Sequence, residues 1–311
     1  MAERRFRPRI ADLRGHPGVA TIAVLDFGGG RLAETVDGRA PPLTRREKWI
    51  INVSTQFGCP VGCPCCDAGG DFRGNLSAAQ ILAEVRWARA RHPRLAASCK
   101  KLKVHLARMG EPSLNDAVPQ AAAGLPALLP SPGLMCCLAT VAPRGRERWF
   151  SDLLLAKQRW FSGRFQLQFS IQSTDPALRR RLIPIPHLDL GELARLGEAF
   201  VEPGDRKVGL NFALAEGAPF DPRVIVRHFD PDRFLVKLTP LNPTAASARA
   251  GLASLLRTPC QRELEPAARH LAAEGYEVIW SIGDGREDRI GSNCGQAVRR
   301  LRGGLTTRPA A

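Results

Sequence analysis

Four cysteines fall within eight residues of one glycine-rich stretch, GCPVGCPCCDAGG at residues 58–70. Cys59, Cys63 and Cys66 follow a C-x3-C-x2-C spacing, with Cys65 between the last two. A disulfide framework fits this chain poorly. Its nine cysteines are odd in number, its 311 residues far exceed the small domains that need bridges, and the start MAERRFRPRIADLRG has no apolar signal-peptide core. The thiols therefore point to a reducing, cytoplasmic setting. A structural zinc site would use two short cysteine pairs far apart, giving four closed ligands. Three thiolates at this spacing suit an iron–sulfur cluster in which one iron has no protein ligand and can hold a small molecule. Gly58 and Gly62 would let the loop wrap such a group closely. Cys65 fits neither spacing and reads as a neighbouring or free thiol.

The elements that must position this loop are legible as six apolar, β-branched runs: WIINVSTQ, LKVHLARMG, GLMCCLATVAP, FQLQFSIQS, KVGLNFALAEG and RFLVKLTPLNP. Helix-like stretches such as LSAAQILAEVRWARARH and RERWFSDLLLAKQRW separate them. Strand alternating with helix predicts the α/β class and a parallel sheet, and six such units predict a partial (β/α)6 barrel. Active sites of such barrels lie at the C-terminal ends of the strands, and the cysteine loop directly follows the first one. The expected organisation is a β-hairpin extension over residues 1–48, the barrel over 49–302 and a flexible tail over 303–311. The hairpin rests on VATIAVLDFGGGRLAETVDG, two strands around a Gly-rich turn.

The strand ends carry further motifs: RMGEP, FSIQSTDPALRRRLIPI, LTPLNP and, near the C-terminus, SNCGQ. With VSTQFGCPVGCPCC and GNLSAAQIL, they resemble the RlmN/Cfr family of radical S-adenosylmethionine (SAM) enzymes, which methylate adenines of ribosomal and transfer RNA. The resemblance runs over residues 19–302. It implies that Cys59, Cys63 and Cys66 hold a [4Fe–4S] cluster whose open iron chelates SAM, and that SAM cleavage yields a 5′-deoxyadenosyl radical. It also implies that Gly110 and Glu111 receive the SAM amino group, and that Ser170, Gln172 and Asn242 line the rest of the SAM pocket. The family usually has His where Gln172 stands. A carboxylate such as Glu111 suits an ammonium on chemical grounds alone. Glu34 matches a family glutamate proposed as a proton acceptor, although an exposed Glu on a hairpin strand would be ordinary. Cys294 would be methylated by a first SAM and deliver that carbon to an sp2 carbon of an RNA adenine. Ribosomal or transfer RNA would be the substrate, and a flavodoxin or ferredoxin the electron donor.

Two departures stand against that pattern. The family resolves its covalent enzyme–RNA adduct with a second cysteine, seven residues before the first cluster ligand, and here that position is Asn52. Cys65, Cys99, Cys136, Cys137 and Cys260 are the spare thiols; period-two alternation directs one of Cys136 and Cys137 into the barrel. The residues ahead of the first barrel strand also lack the family's helical RNA-gripping module. A tailoring enzyme for a small molecule or peptide is therefore the rival reading. Charge favours a polyanion: the net charge is +15 and the pI about 10.2. Only seven of the 45 basic residues are lysine, a bias that GC-rich codons can produce, but codon bias does not create the excess over acids. Arg179, Arg180 and Arg181, like Arg299, Arg300 and Arg302, are candidates for phosphate contacts, against the bland reading of solvated helix surface. No apolar run is long enough to span a membrane.

Overall fold

A computed structural model describes residues 7–257, 259–293 and 296–303. Residues 304–311, read above as a tail, lie outside them. Among the described residues ten strands form one sheet in chain order. They are β1 (Arg9–His16), β2 (Ala20–Asp26), β3 (Leu32–Gly38), β4 (Trp49–Val53), β5 (Leu102–Leu106), β6 (Leu134–Thr140), β7 (Phe165–Ser170), β8 (Val208–Leu214), β9 (Phe234–Pro240) and β10 (Val278–Trp280). Strands β1 to β4 pair antiparallel, and β4 to β10 pair parallel. The sheet is an open partial barrel with an antiparallel meander on one edge. Helices connect the parallel strands: α1 (Ala78–Arg91), α2 (Val118–Leu128), α3 (Glu147–Trp160), α4 (Pro176–Leu182), α5 (Leu190–Ala199), α6 (Pro222–His228), α7 (Ala245–Arg249) and α8 (Glu265–Ala273). Beyond β10 come α9 (Gly285–Ile290) and α10 (Gln296–Arg302).

All six anticipated parallel strands are present. The seventh, β10, has only three residues, half-buried to exposed, too few to show a period. Strand β1 pairs with β2 outside the anticipated hairpin; its largely exposed edge, RIADLRGH, carries little apolar alternation. Helix α4 is charge-rich, but Asp175 at its N-cap and Pro176 behind it are start signals that PALRRRL did carry.

Alternation along the strands separates the two faces of the barrel wall. Trp49, Ile51 and Val53 of β4 and Leu102, Val104 and Leu106 of β5 pack outward against Ile81 and Val85 of α1, Leu125 of α2 and Leu153 of α3. Each such side chain contributes about 1.5–3 kcal/mol by leaving water. The intervening residues, Asn52 and His105 among them, fall on the inner face. Helix α1 starts where a reciprocal capping box between Ser77 and Gln80 satisfies its first amides, which fixes the return from the cysteine loop.

Candidate active site

The cysteine loop leaves β4 and doubles back on itself. Its turn depends on Gly58, at φ 80°, where a Cβ would lie 2.0 Å from the Asp71 carbonyl oxygen. Gly70 N–H donates to Cys59 O and Cys66 N–H to Cys63 O, so Cys59, Cys63 and Cys66 are held on one compact loop. Burial pushes the Cys59 thiol up to about 12 and raises Cys63 and Cys66 too, with neighbouring thiols adding to the effect at Cys59 and Cys63. Opposing this, the Val61 and Gly62 amides donate to the Cys59 sulfur, and those of Ala68 and Gly69 to the Cys66 sulfur. Amides aimed at buried sulfurs favour thiolates, and coordinated cations would supply the missing positive charge. No group of three or more His, Cys, Asp or Glu among the described residues converges on a single-ion site. A cluster asks for less convergence, because each thiolate takes a different iron. The donor set fits such a group.

Glu111 follows β5 on a segment pinned to the base of the cysteine loop. Thr55 and Gln56 donate backbone N–H to Met109 O, and Gln56 Oε1 accepts the Glu111 amide at 2.8 Å. Gly110, at φ 100°, leaves no room for a Cβ, which would meet Gln56 Cβ at 2.6 Å. The Glu111 carboxylate is buried. Its Oε1 accepts from the Ser113 amide and hydroxyl and from Thr140 Oγ1, and its Oε2 accepts the Val141 amide at 2.9 Å. Burial raises its pKa, against the pull of these four donors. Oε2, with one donor, keeps a lone pair for an ammonium. Thr140, which sequence reasoning missed, orients this carboxylate from the end of β6.

The remaining residues stand at the ends of β7 and β9. Val141 and Ile183 pack against Cys59 and Cys63, on the Glu111 side. A separate cavity of about 380 Å³ is lined by Cys65, Cys66, Gln172, Asn211 and Asn242. Gln172 stands just past β7 at φ 67°, a left-handed conformation uncommon for a residue with a side chain. Its Oε1 accepts the Ala213 amide at 3.2 Å, which anchors the side chain at the cavity wall. Ser170, the half-buried last residue of β7, is registered with Asn211. It does not line the cavity, and neither do Gly110 and Glu111.

Asp67 was also missed. It is buried beside Cys66, and its carboxylate accepts the Ala245 and Ala246 amides at the start of α7 and Arg299 Nη1 of α10. Thr244 Oγ1 donates to Cys65 O at 2.9 Å. These bonds tie the cysteine loop to the segment carrying Asn242 and to the C-terminal helix. Asp67→Ala should cost about 1–3 kcal/mol, since two amides lose their acceptor, and Asp67→Asn less. Denaturant unfolding would read both; an Asp67→Ala protein as stable as the parent would contradict this role.

Glu34 is not on an exposed face. It is 0% exposed, because β3 lies between β2 and β4 and is covered by α10. Arg108 Nε and Nη2 donate to its Oε2 at 3.0 and 2.5 Å, and the Val298 amide donates to its Oε1 at 2.7 Å. Arg108 also donates to the carbonyls of Gly291 and Ser292. Cys294 itself lies outside the described residues. The described chain on both sides of it is held by the Glu34–Arg108 pair.

No protein-family model matches the chain. It is 30% identical to a probable RNA methyltransferase of Aromatoleum aromaticum, over 88% of this chain and 72% of that one. It is 31% identical to a probable dual-specificity RNA methyltransferase RlmN of Frankia alni over 79% of this chain, spanning 62% of that protein. The fold resembles that of a radical SAM methyltransferase from Sphaerobacter thermophilus with a TM-score of 0.73 at 21% identity, covering 93% of this chain and 80% of that one.

Proposed function

Because the chain belongs to the RlmN/Cfr-type family of radical SAM methyltransferases, we propose that it methylates an sp2 carbon of an RNA adenine by way of a methyl group carried on Cys294. The observation that carries this reading is the half-buried loop of Cys59, Cys63 and Cys66, with Glu111 anchored at its base and a cavity of Gln172 and Asn242 bordered by Cys65 and Cys66. When bound, a [4Fe–4S] cluster and SAM supply one-electron cleavage to a 5′-deoxyadenosyl radical. The chain's own residues bind and orient. Glu111 Oε2 would receive the SAM ammonium beside Gly110, while Gln172 and Asn242 bound the rest of the SAM site and Ser170, outside that cavity, borders it from the end of β7. Glu34 acts through Arg108 and the Val298 amide to hold the segment carrying Cys294. A flavodoxin or ferredoxin would supply the electron.

Adduct resolution needs a thiol where Asn52 offers none. Asn52, His105 and Cys137 occupy one rung across β4, β5 and β6. Cys136 belongs to the core between sheet and helices. Cys137, on the opposite face, is raised by burial, while Lys103, Arg206, Lys101 and Lys237 favour its thiolate. Cys137 is therefore the spare thiol we assign to release. In anaerobic reactions with labelled RNA, Cys137→Ala should accumulate a covalent protein–RNA adduct on denaturing gels, whereas Cys136→Ala should turn over. Release of methylated RNA by Cys137→Ala at the parent rate would contradict the assignment. A small-molecule or peptide acceptor is the second reading, favoured by Asn52 itself; it requires SAM cleavage without any RNA crosslink. Peptide mapping for methyl-Cys294 and mass analysis of the reacted RNA test the leading reading, and an unmethylated Cys294 during turnover would contradict it.

A further inference from the structure

The run Arg179, Arg180 and Arg181 plays no part in the site described above, yet one member is not solvated surface. Arg179 is 4% exposed. Its Nη1 donates to Leu188 O at 2.6 Å, which fixes the plane of the guanidinium. Its Nε and Nη2 are buried and have no hydrogen-bond partner among the described residues. These two nitrogens form one edge of the guanidinium, the fork that grips two oxygens of a phosphate or carboxylate at once. A buried fork edge with no acceptor is costly unless something binds to it.

The surroundings suit an anion. Arg179 lines a cavity of about 560 Å³ together with Arg180, His187 and Arg144, whose Nη1 and Nη2 already donate to the Glu192 carboxylate. Asp189, the acid on this wall, accepts the Glu192 amide as the N-cap of α5. Burial pulls Arg179 down to about 10, and Asp189 offsets only part of that. A bound oxyanion would supply the missing compensation. The cavity also abuts the reaction centre, since Ile183 and Ile185 on its wall pack with Val61 and Val141 against Cys59 and Cys63.

We infer that the unpartnered edge of Arg179 is a phosphate-binding site, and that it takes a backbone phosphate of the nucleic acid presented to the cysteine loop. The second clause rests on the RNA reading above; the first does not. Phosphate chemistry has two sources here, a nucleic-acid backbone and a small phosphorylated molecule, and two measurements on the cluster-reconstituted full chain separate them. The first is thermal unfolding in inorganic phosphate against chloride at equal ionic strength. Phosphate should raise the midpoint of the parent and not that of Arg179→Lys, which keeps the charge and loses the fork. The second is fluorescence anisotropy with a labelled single-stranded RNA. Arg179→Lys should weaken binding about tenfold, and the exposed Arg180→Ala much less. RNA affinity unchanged in Arg179→Lys, with the phosphate shift intact in the parent, would overturn the backbone assignment and leave a small phosphorylated ligand. A parent that responds to phosphate but binds no RNA would sink the RNA reading while the site stands. Absence of a phosphate shift in the parent, which no folding defect of a variant can imitate, together with unaltered RNA binding in Arg179→Lys, would overturn the site itself.

Discussion

Alanine at any one of Cys59, Cys63 or Cys66 should abolish reductive SAM cleavage and drop the bound iron from about four per chain to nearly none. Each thiol sits half-buried on a loop held by its own backbone bonds, and alanine offers an iron no ligand in its place. Cys65→Ala should behave differently. That side chain faces the cavity of Gln172 and Asn242, and the interaction that ties residue 65 to its neighbours uses the backbone carbonyl, which alanine retains. Its iron content and SAM cleavage should remain close to those of the parent. If Cys65→Ala alone emptied the loop of iron, the ligand set would have to be redrawn.

Arg108→Met should destabilise the protein by about 3–5 kcal/mol, because it strands the Glu34 carboxylate in a fully buried position. Glu34→Gln should cost less, since the amide oxygen can still accept one of Arg108's bonds. The double variant Glu34→Leu/Arg108→Met should lose less than the sum of its single changes, the signature of a coupled pair. Denaturant unfolding of these variants, with Glu34→Leu completing the cycle, measures the effects. The functional consequence is separable from stability. Arg108→Met protein that remains folded and fully loaded with iron should show little methylation of Cys294, because Arg108 anchors the carbonyls of Gly291 and Ser292 just before it. Unchanged stability and full Cys294 methylation in Arg108→Met would contradict the positioning role.

The parallel strands were legible because each is flanked by turn residues and long enough to show its apolar run. The cysteine spacing was equally legible, since ligands on one loop are neighbours in sequence. Glu111 could be singled out by its motif, but its partners Thr140 and Val141 come from another strand end, and no local pattern announces them. Asp67 and Arg108 were invisible for the same reason: the partners of Asp67 lie 178 to 232 residues away along the chain, and those of Arg108 74 to 184. Glu34 shows the reverse error. Its sequence neighbourhood looks like an ordinary hairpin, and only the packing of α10 over β3 makes it buried. Arg179 could not be told from Arg180 by composition; the helix turns one inward and leaves the other in water.

The most direct test supplies the anaerobic, reduced protein with SAM carrying a fully deuterated methyl group and with RNA, then weighs the methyladenine formed. The radical route removes one deuterium from the methyl on Cys294 before the carbon reaches the ring. Adenine should therefore gain a methyl bearing two deuteriums, and the 5′-deoxyadenosine released should carry the third. RNA without any labelled methyladenine, from protein that cleaves SAM under the same conditions, would contradict the account, as would a transferred methyl that retains all three.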